Sequence, residues 1–208
     1  MKVILVNGSP HANGCTFTAL TEVADTLNIH GIETEIVQVG TKPISGCLGC
    51  GVCMKKGNCF MDDEVNIFLG KAKDADGFVF GSPVHYAAAS GHLTSFLDRV
   101  FFGKSDQFAN KLGAAVVSCR RGGASSAFDQ INKYFTISNM PIVSSQYWNQ
   151  VHGNTPEEVK QDLEGMQTMR TLGHNMAWLL KCIEAGKNAG ISLPQREPKT
   201  ATNFIRSS

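Results

Sequence analysis

Five short apolar runs alternate with segments of helical period along this 208-residue chain, and that alternation leaves few folds open. Val3–Val6, Thr34–Val39, Gly77–Gly81, Leu112–Ser118 and Pro141–Ser144 read as strands. Continuously apolar runs such as the first are expected where both faces of a parallel sheet are covered. Between the strands, Thr16–His30 places Leu20, Val23, Ala24 and Leu27 on one helical face, with Gly31 past its end. Asp62-Asp63 predicts the start of a second helix through Val65, Ile67, Phe68 and Ala72, because carboxylates cap and favour a helix N-terminus. Leu93, Phe96, Leu97 and Val100 mark a third helix, and Ser125–Phe135 a fourth. From Pro156 to about Gly186, the residues Leu163, Met166, Met169, Gly173, Met176, Leu180 and Ile183 recur three or four apart, which predicts one long helix with a buried stripe. The pattern gives an α/β fold: a doubly wound five-stranded parallel sheet with right-handed crossovers and helices on both faces. Such sheets bind ligands beyond the carboxyl ends of their strands, so function is expected in the loops after strands one, three and four.

Charge excludes several partners. The chain carries 19 basic and 18 acidic residues, interspersed, and so offers no field for nucleic acid or an anionic membrane. No apolar stretch reaches the roughly 18–20 residues of a membrane span. The first residues, Met1 to Gly8, are leader-like for only five positions before a turn, so they read as a core strand and the expected location is cytoplasmic. In that compartment the seven cysteines are expected to be free thiols or metal ligands, not structural disulfides.

Gly8-Ser9-Pro10-His11-Ala12-Asn13-Gly14-Cys15-Thr16 joins a buried strand to a helix. Converging N–H groups and the helix dipole there suit a phosphate. A P-loop would need Lys before the Ser or Thr, and here Cys15-Thr16 follows Gly14. The dinucleotide fingerprint needs three spaced glycines, and Pro10 breaks that pattern. A phosphate monoester held by neutral donors remains. The plainer alternative is a capped turn in which Asn13 or Thr16 satisfies the helix donors.

After strand three, Pro83 stiffens a turn in which Val84, His85 and Tyr86 can offer backbone groups to a flat heterocycle, with Tyr86 or His85 covering it. The bland reading packs the aromatic on a neighbouring helix. After strand four, Gly122 and Gly123 in Ser118-Cys119-Arg120-Arg121-Gly122-Gly123 allow close approach of backbone to a ligand. Tyr147-Trp148-Asn149-Gln150-Val151-His152-Gly153 reads either as a lid or as a packed aromatic loop. Cys47, Cys50, Cys53 and Cys59 are spaced C-x2-C-x2-C-x5-C, with Gly46, Gly49, Gly51 and Gly57 freeing the loop to wrap a centre. The first three have the spacing of a bacterial [4Fe–4S] motif, but the last gap is longer and Phe60 replaces its Pro. Zinc usually needs a wider separation between its pairs. A loop with no metal stays open too.

Taken in order, Gly8-Ser9-Pro10…Asn13…Thr16, Cys47-Leu48-Gly49-Cys50, Asp62-Asp63, Ser82-Pro83-Val84-His85-Tyr86 and Phe96-Leu97-Asp98-Arg99 resemble the NADPH-dependent FMN reductase family of flavodoxin-like proteins. The cysteine spacing resembles its iron–sulfur flavoprotein branch. The resemblance is strongest from Met1 to Phe102 and extends in pattern over Leu112–Ser144. It implies a flavodoxin-like sheet of order 2-1-3-4-5 within residues 1–190, followed by a polar tail over 191–208. It implies FMN held by Ser9, His11, Asn13, Cys15 and Thr16, and by Pro83, Val84, His85, Tyr86, Ser118, Arg120, Gly122 and Gly123. Arg120 would lie near the pyrimidine edge, as against a solvated pair of arginines. A [4Fe–4S] cluster would sit on Cys47, Cys50, Cys53 and Cys59. The implied activity passes electrons from NADH or NADPH to a flavin, quinone, nitro- or azo-aromatic or redox-protein acceptor. FMN carries that chemistry, without a catalytic side chain, in a homodimer or homotetramer.

Two departures stand out: His11 occupies a position where the family often has Arg, and His85 one where it often has an aromatic. Asp98-Arg99 reads as an ion pair or backbone anchor. A flavodoxin-type electron carrier is the runner-up, but such carriers are short and strongly acidic, unlike this near-neutral chain with its extra C-terminal helix. A cofactor-free binding module is the third reading, which a colourless purified protein would favour.

Overall fold

The computed structural model describes residues 1–198 and 200. In chain order the elements are β1 (Lys2–Asn7), α1 (Cys15–Ile29), β2 (Glu33–Gln38), α2 (Val52–Lys56), α3 (Glu64–Lys71), β3 (Gly77–His85), β4 (Ala88–Ala89), α4 (Gly91–Phe102), β5 (Leu112–Cys119), α5 (Ala124–Ile137), β6 (Gln150–His152), α6 (Pro156–Gln161) and α7 (Leu163–Asn188). The sheet runs β2-β1-β3-β5-β6, all parallel, and the two-residue β4 turns back antiparallel on the end of β3. The expected order 2-1-3-4-5 is therefore present, renumbered by the small extra strand.

Side-chain alternation along the strands sorts the core into two layers. Ile4, Val6, Phe78, Phe80, Ala115 and Val117 face α3, α4 and α5, where Phe68, Phe96 and Phe135 are fully buried. Val3, Leu5, Val79, Ala114 and Val116 face the other way, onto Leu20, Val23 and Leu27 of α1 and Met169, Leu172 and Met176 of α7. Both faces are covered, which is why these strands are apolar at nearly every position.

Three expectations need correction. The fifth strand was expected at Pro141–Ser144, yet only Ile142 bridges to Gly113 there. The chain leaves the edge and returns as β6, with Val117 and Cys119 paired to Gln150 and His152. An edge strand has one neighbour, so little in its own sequence marks it. The long helix from Pro156 is broken at Asp162, whose carboxylate accepts the Gly165 N–H through Oδ1 and the His152 N–H through Oδ2 (2.9 and 2.7 Å). Capping α7 and anchoring β6 together outweigh one more turn of helix. Its stripe is also shorter than expected, since Leu163 and Ile183 are exposed while Met166 to Leu180 are buried. Of the tail expected over 191–208, residues 191–198 and 200 have no regular structure, and 199 and 201–208 lie outside the described residues.

Helices α1 and α7 pack tightly at Gly173, where a Cβ would lie 2.7 Å from Thr26 Cβ and 3.2 Å from the Val23 carbonyl oxygen. Gly173→Ala should force the pair apart and cost about 1–3 kcal/mol of unfolding free energy. Urea denaturation checks this. A variant as stable as the parent would show that the contact is not tight.

Candidate functional site

The carboxyl ends of β1, β3, β5 and β6 lie at one edge of the sheet, and hydrogen bonds join the loops that leave them. The Gly8 carbonyl accepts Ser90 Oγ (2.7 Å), and Ser90 N–H donates to the buried Ser82 Oγ (2.9 Å). Thr16 Oγ1 and Ser118 Oγ are 2.8 Å apart and buried, linking the first loop to the end of β5. The Cys15 thiol faces the Gly153 carbonyl at 3.6 Å, which brings in the end of β6.

Within the first loop the backbone is held open. Asn7 Nδ2 donates to the His11 and Ala12 carbonyls (3.3 and 3.4 Å) and to Gln38 Oε1 (2.6 Å). Gln38 Nε2 in turn donates to the Ser9 carbonyl (2.7 Å). Ser9 is buried, and its Oγ accepts the His11 N–H (3.1 Å), leaving the hydroxyl proton for another acceptor. Gly14 is the N-cap of α1, and no side chain caps the helix. The capped-turn alternative, with Asn13 or Thr16 as the cap, is thereby overturned: Asn13 is exposed and Thr16 is bound to Ser118. The first-turn N–H groups are free to meet an anion. His11 stands exposed at the rim. Burial chiefly pushes the Cys15 thiol up, so it stays neutral and puts no negative charge at the helix end.

The second wall is a tight hairpin. His85 pairs with Ala88, leaving Tyr86 and Ala87 as a two-residue turn with φ of 50° and 59°. Such a turn takes positive φ at both central residues, a conformation that strains non-glycine residues by roughly 1 kcal/mol or more each. Pro83 and Val84 are half-buried, His85 is exposed, and Tyr86 stands wholly in solvent. Tyr86 thus does not pack on a neighbouring helix. Gly123 has φ of 87°, and a Cβ there would lie 2.6 Å from Ala87 Cα. Only glycine lets the loop after β5 close against the hairpin. Ser118 is buried, while Arg120, Arg121 and Gly122 are exposed beside it.

Sequence reasoning passed over several residues here: Asn7, Gln38, Gly40, Ser82 and Ser90. Their common sign is a polar or glycine residue ending an apolar strand or opening a helix. His152 was expected in a lid or in a packed aromatic loop. Its Nδ1 lies 3.4 Å from Cys119 Sγ, a thiol that burial holds in its protonated form. Tyr147 and Trp148 of the same loop are exposed and packed on each other, ring centroids 5.2 Å apart.

A second pocket lies in the loop after β2. Cys47, Cys50, Cys53 and Cys59 all line it, with Arg99 and Phe102 of α4, and it encloses about 340 Å³ counting its open mouth. Left-handed glycines Gly49, Gly51 and Gly57 bend the chain around it, the last two bounding the short helix α2. Gly103 seats Cys53, for a Cβ at that position would fall 2.2 Å from its Sγ. Gly49 N–H lies 3.5 Å from Cys47 Sγ, and Arg99 Nη2 donates to Cys59 Sγ at 3.3 Å. Arg99 is buried, and its partner is Asp63, not Asp98, which instead accepts the Tyr134 hydroxyl. Burial opposes the Arg99 charge more than any single contact favours it, but the hydrogen bonds that Arg99 donates to Asp63 and Cys59 and the attraction of those groups together outweigh burial and keep the guanidinium protonated. The seven cysteines are free thiols.

The donor set suits a cluster in kind: four thiols, two of them with N–H donors, and a buried Arg99 Nε–H that has no acceptor among the described residues. Iron–sulfur clusters take thiolate ligands and N–H donors of this kind. Among the described residues no three Cys, His, Asp or Glu side chains are grouped so as to hold a metal ion. Zinc, whose four ligands must converge on one atom, gains no support from that arrangement. Cys47, Cys50, Cys53 and Cys59, which line one pocket, are the residues that would hold a cluster, and it would supply one-electron exchange.

Among the described residues no helix is long and apolar enough to cross a membrane. An iron–sulfur flavoprotein of Methanocaldococcus jannaschii is 34% identical over 196 residues, covering 88% of this chain and 100% of that protein. An iron–sulfur flavoprotein of Methanosarcina thermophila is 26% identical over 192 residues, covering 90% and 100%. A solved flavodoxin from the domain Archaea matches with a TM-score of 0.60 at 17% identity, over 87% of this chain and 99% of the other, and at that identity it speaks for the fold. The family model for NADPH-dependent FMN reductases matches residues 1–155, and the chain belongs to that family.

Proposed function

We propose that this chain is an FMN-dependent oxidoreductase that takes electrons from NADH or NADPH, and that Cys47, Cys50, Cys53 and Cys59 hold a [4Fe–4S] cluster. The observation that carries the flavin site is the uncapped first turn of α1, set behind Ser9 and tied to Ser118 through Thr16. Ser9, His11, Asn13, Cys15 and Thr16 hold the phosphate there, by N–H and O–H donation to an anion at a helix N-terminus. Pro83, Val84, His85 and Tyr86 form one side of the ring site, and Ser118, Arg120, Gly122 and Gly123 the other. Contact between Gly123 and Ala87 sets the gap between these two walls. Arg120, exposed beside the ring site, supplies positive charge at the rim. FMN, when bound, supplies two-electron exchange with a nicotinamide and one-electron exchange with other centres.

The cluster reading is supported by the shared pocket and by relatives whose names carry it. It points to a one-electron redox protein as acceptor. A flavodoxin-type carrier shares the fold, but such carriers are strongly acidic, whereas this chain has 19 basic against 18 acidic residues. The reading includes a homodimer or homotetramer, which light scattering tests.

FMN titration of the purified chain tests the flavin site. Ser9→Asp keeps an acceptor for the His11 N–H but sets a carboxylate near the phosphate, and should weaken FMN roughly 100-fold or more, as like charges about 4 Å apart repel by some 4 kcal/mol at intermediate dielectric. Unchanged affinity would remove the phosphate from this loop. Iron and acid-labile sulfide after anaerobic purification test the cluster: about four of each per chain are expected from its composition. Neither element after reconstitution would leave a simple FMN reductase.

A further inference from the structure

Arg99 belongs to neither wall of the flavin site, yet among the described residues its side chain makes five hydrogen bonds. Its side chain is 1% exposed. Nη1 donates to Asp63 Oδ2 (2.6 Å) and to the Ser45 carbonyl (3.4 Å). Nη2 donates to Asp63 Oδ1 (2.8 Å), to the Met61 carbonyl (3.2 Å) and to Cys59 Sγ (3.3 Å). One planar group therefore grips the loop just before its first cysteine, at its last, and just after it. Asp63 fixes that fork from below, and is itself fixed as the N-cap of α3 through Val65 N–H. A lysine could supply the charge but not this fan of donors.

We propose that Arg99 is a positioning residue for the cysteine pocket, holding the Cys59 sulfur in place and making a cluster ligated there easier to reduce. This rests on the reading of the four cysteines as cluster ligands. The sign follows from charge. Reduction adds an electron to a centre already bound by thiolates, and an N–H donated to a ligand sulfur stabilises the more negative state more. Asp63 offsets most of the guanidinium charge, so in the native pair the directed N–H bond does the work. Removing the Asp63 charge would expose the full cation to the pocket and push the potential up. Removing the fork would push it down.

The test uses the full chain, reconstituted anaerobically, with iron, sulfide and FMN content measured together with a redox titration of the cluster signal by electron paramagnetic resonance. Arg99→Lys should keep FMN, lose iron to a chelator roughly tenfold or more readily, as loss of a partner of a metal ligand typically does, and titrate at a lower potential. Asp63→Asn, which keeps an acceptor for the cap, should titrate at a higher potential. Potentials unchanged in both variants, with FMN content intact, would reduce Arg99 to a loop anchor and overturn the tuning role. If Arg99→Lys does not fold, the upward shift in Asp63→Asn carries the test alone. Should the wild-type chain take up no iron or sulfide, the cluster reading fails instead. Hydrogen exchange of the cofactor-free protein then decides the positioning role, with faster exchange over residues 45–61 expected in Arg99→Lys and an unchanged pattern overturning it.

Discussion

Gly40→Ala is expected to weaken FMN binding about 100-fold by displacing Ser9, one of the residues proposed to hold the phosphate, an effect of the order that a displacement of about 1 Å has at a reacting site. Gly40 follows β2 and lies beneath the first loop, where a Cβ would fall 2.0 Å from the Ser9 carbonyl oxygen and 2.3 Å from its carbon. Both atoms are backbone, so no side chain can swing aside, and Ser9 itself must move. That movement breaks the Gln38–Ser9 hydrogen bond and shifts the loop proposed to hold the phosphate. FMN titration against the parent measures the loss. Circular dichroism and thermal unfolding of the cofactor-free forms show whether the damage stays local. A variant with parental affinity would mean that Ser9 does not set the phosphate site.

Phe68→Ala should produce the largest loss of stability of any single truncation considered, about 3–5 kcal/mol. Its ring is 1% exposed and lies 5.0 Å from Phe96, 6.0 Å from Phe78 and 6.1 Å from Phe80, centroid to centroid. These rings belong to α4 and β3, so the cavity would open where three elements meet and none can close it alone. Such a loss is a large part of the roughly 5–15 kcal/mol that holds a domain folded. It corresponds to a fall in melting temperature of roughly 6–20 °C for a chain of this size. The urea midpoint should fall with little change in slope. A loss under about 1 kcal/mol would show that the layer repacks around the gap, the outcome cores permit when a site can collapse.

Much of this architecture was legible in advance. The parallel strands β1, β3 and β5 are buried on both faces, so Val3–Val6, Gly77–Gly81 and Leu112–Ser118 are apolar for a reason that needs no knowledge of their partners. Helix α3 was announced by Asp63, which does cap it. Gly123 was expected to let backbone approach a ligand; its close contact in the fold is with Ala87 of the hairpin, which the sequence did not indicate. Edges were harder to read. β6 contributes one fully buried apolar residue, Val151, and its identity as a strand depends on β5 lying beside it. The break at Asp162 depends likewise on the His152 N–H, ten residues away and in another element.

The sequence by itself determined the layers and the order of strand and helix, because hydrophobic period and turn chemistry act over a few neighbouring residues. Only the tertiary structure decided which donors stay free at the α1 N-terminus, that Arg99 serves Asp63 and Cys59 and not its neighbour Asp98, and that Gly40 and Gly103 are the places where backbone or sulfur needs the missing Cβ. Each of these is a contact between groups far apart in the chain. Its energy depends on distances of a few ångströms set by the packing of whole elements, and no local pattern encodes those distances.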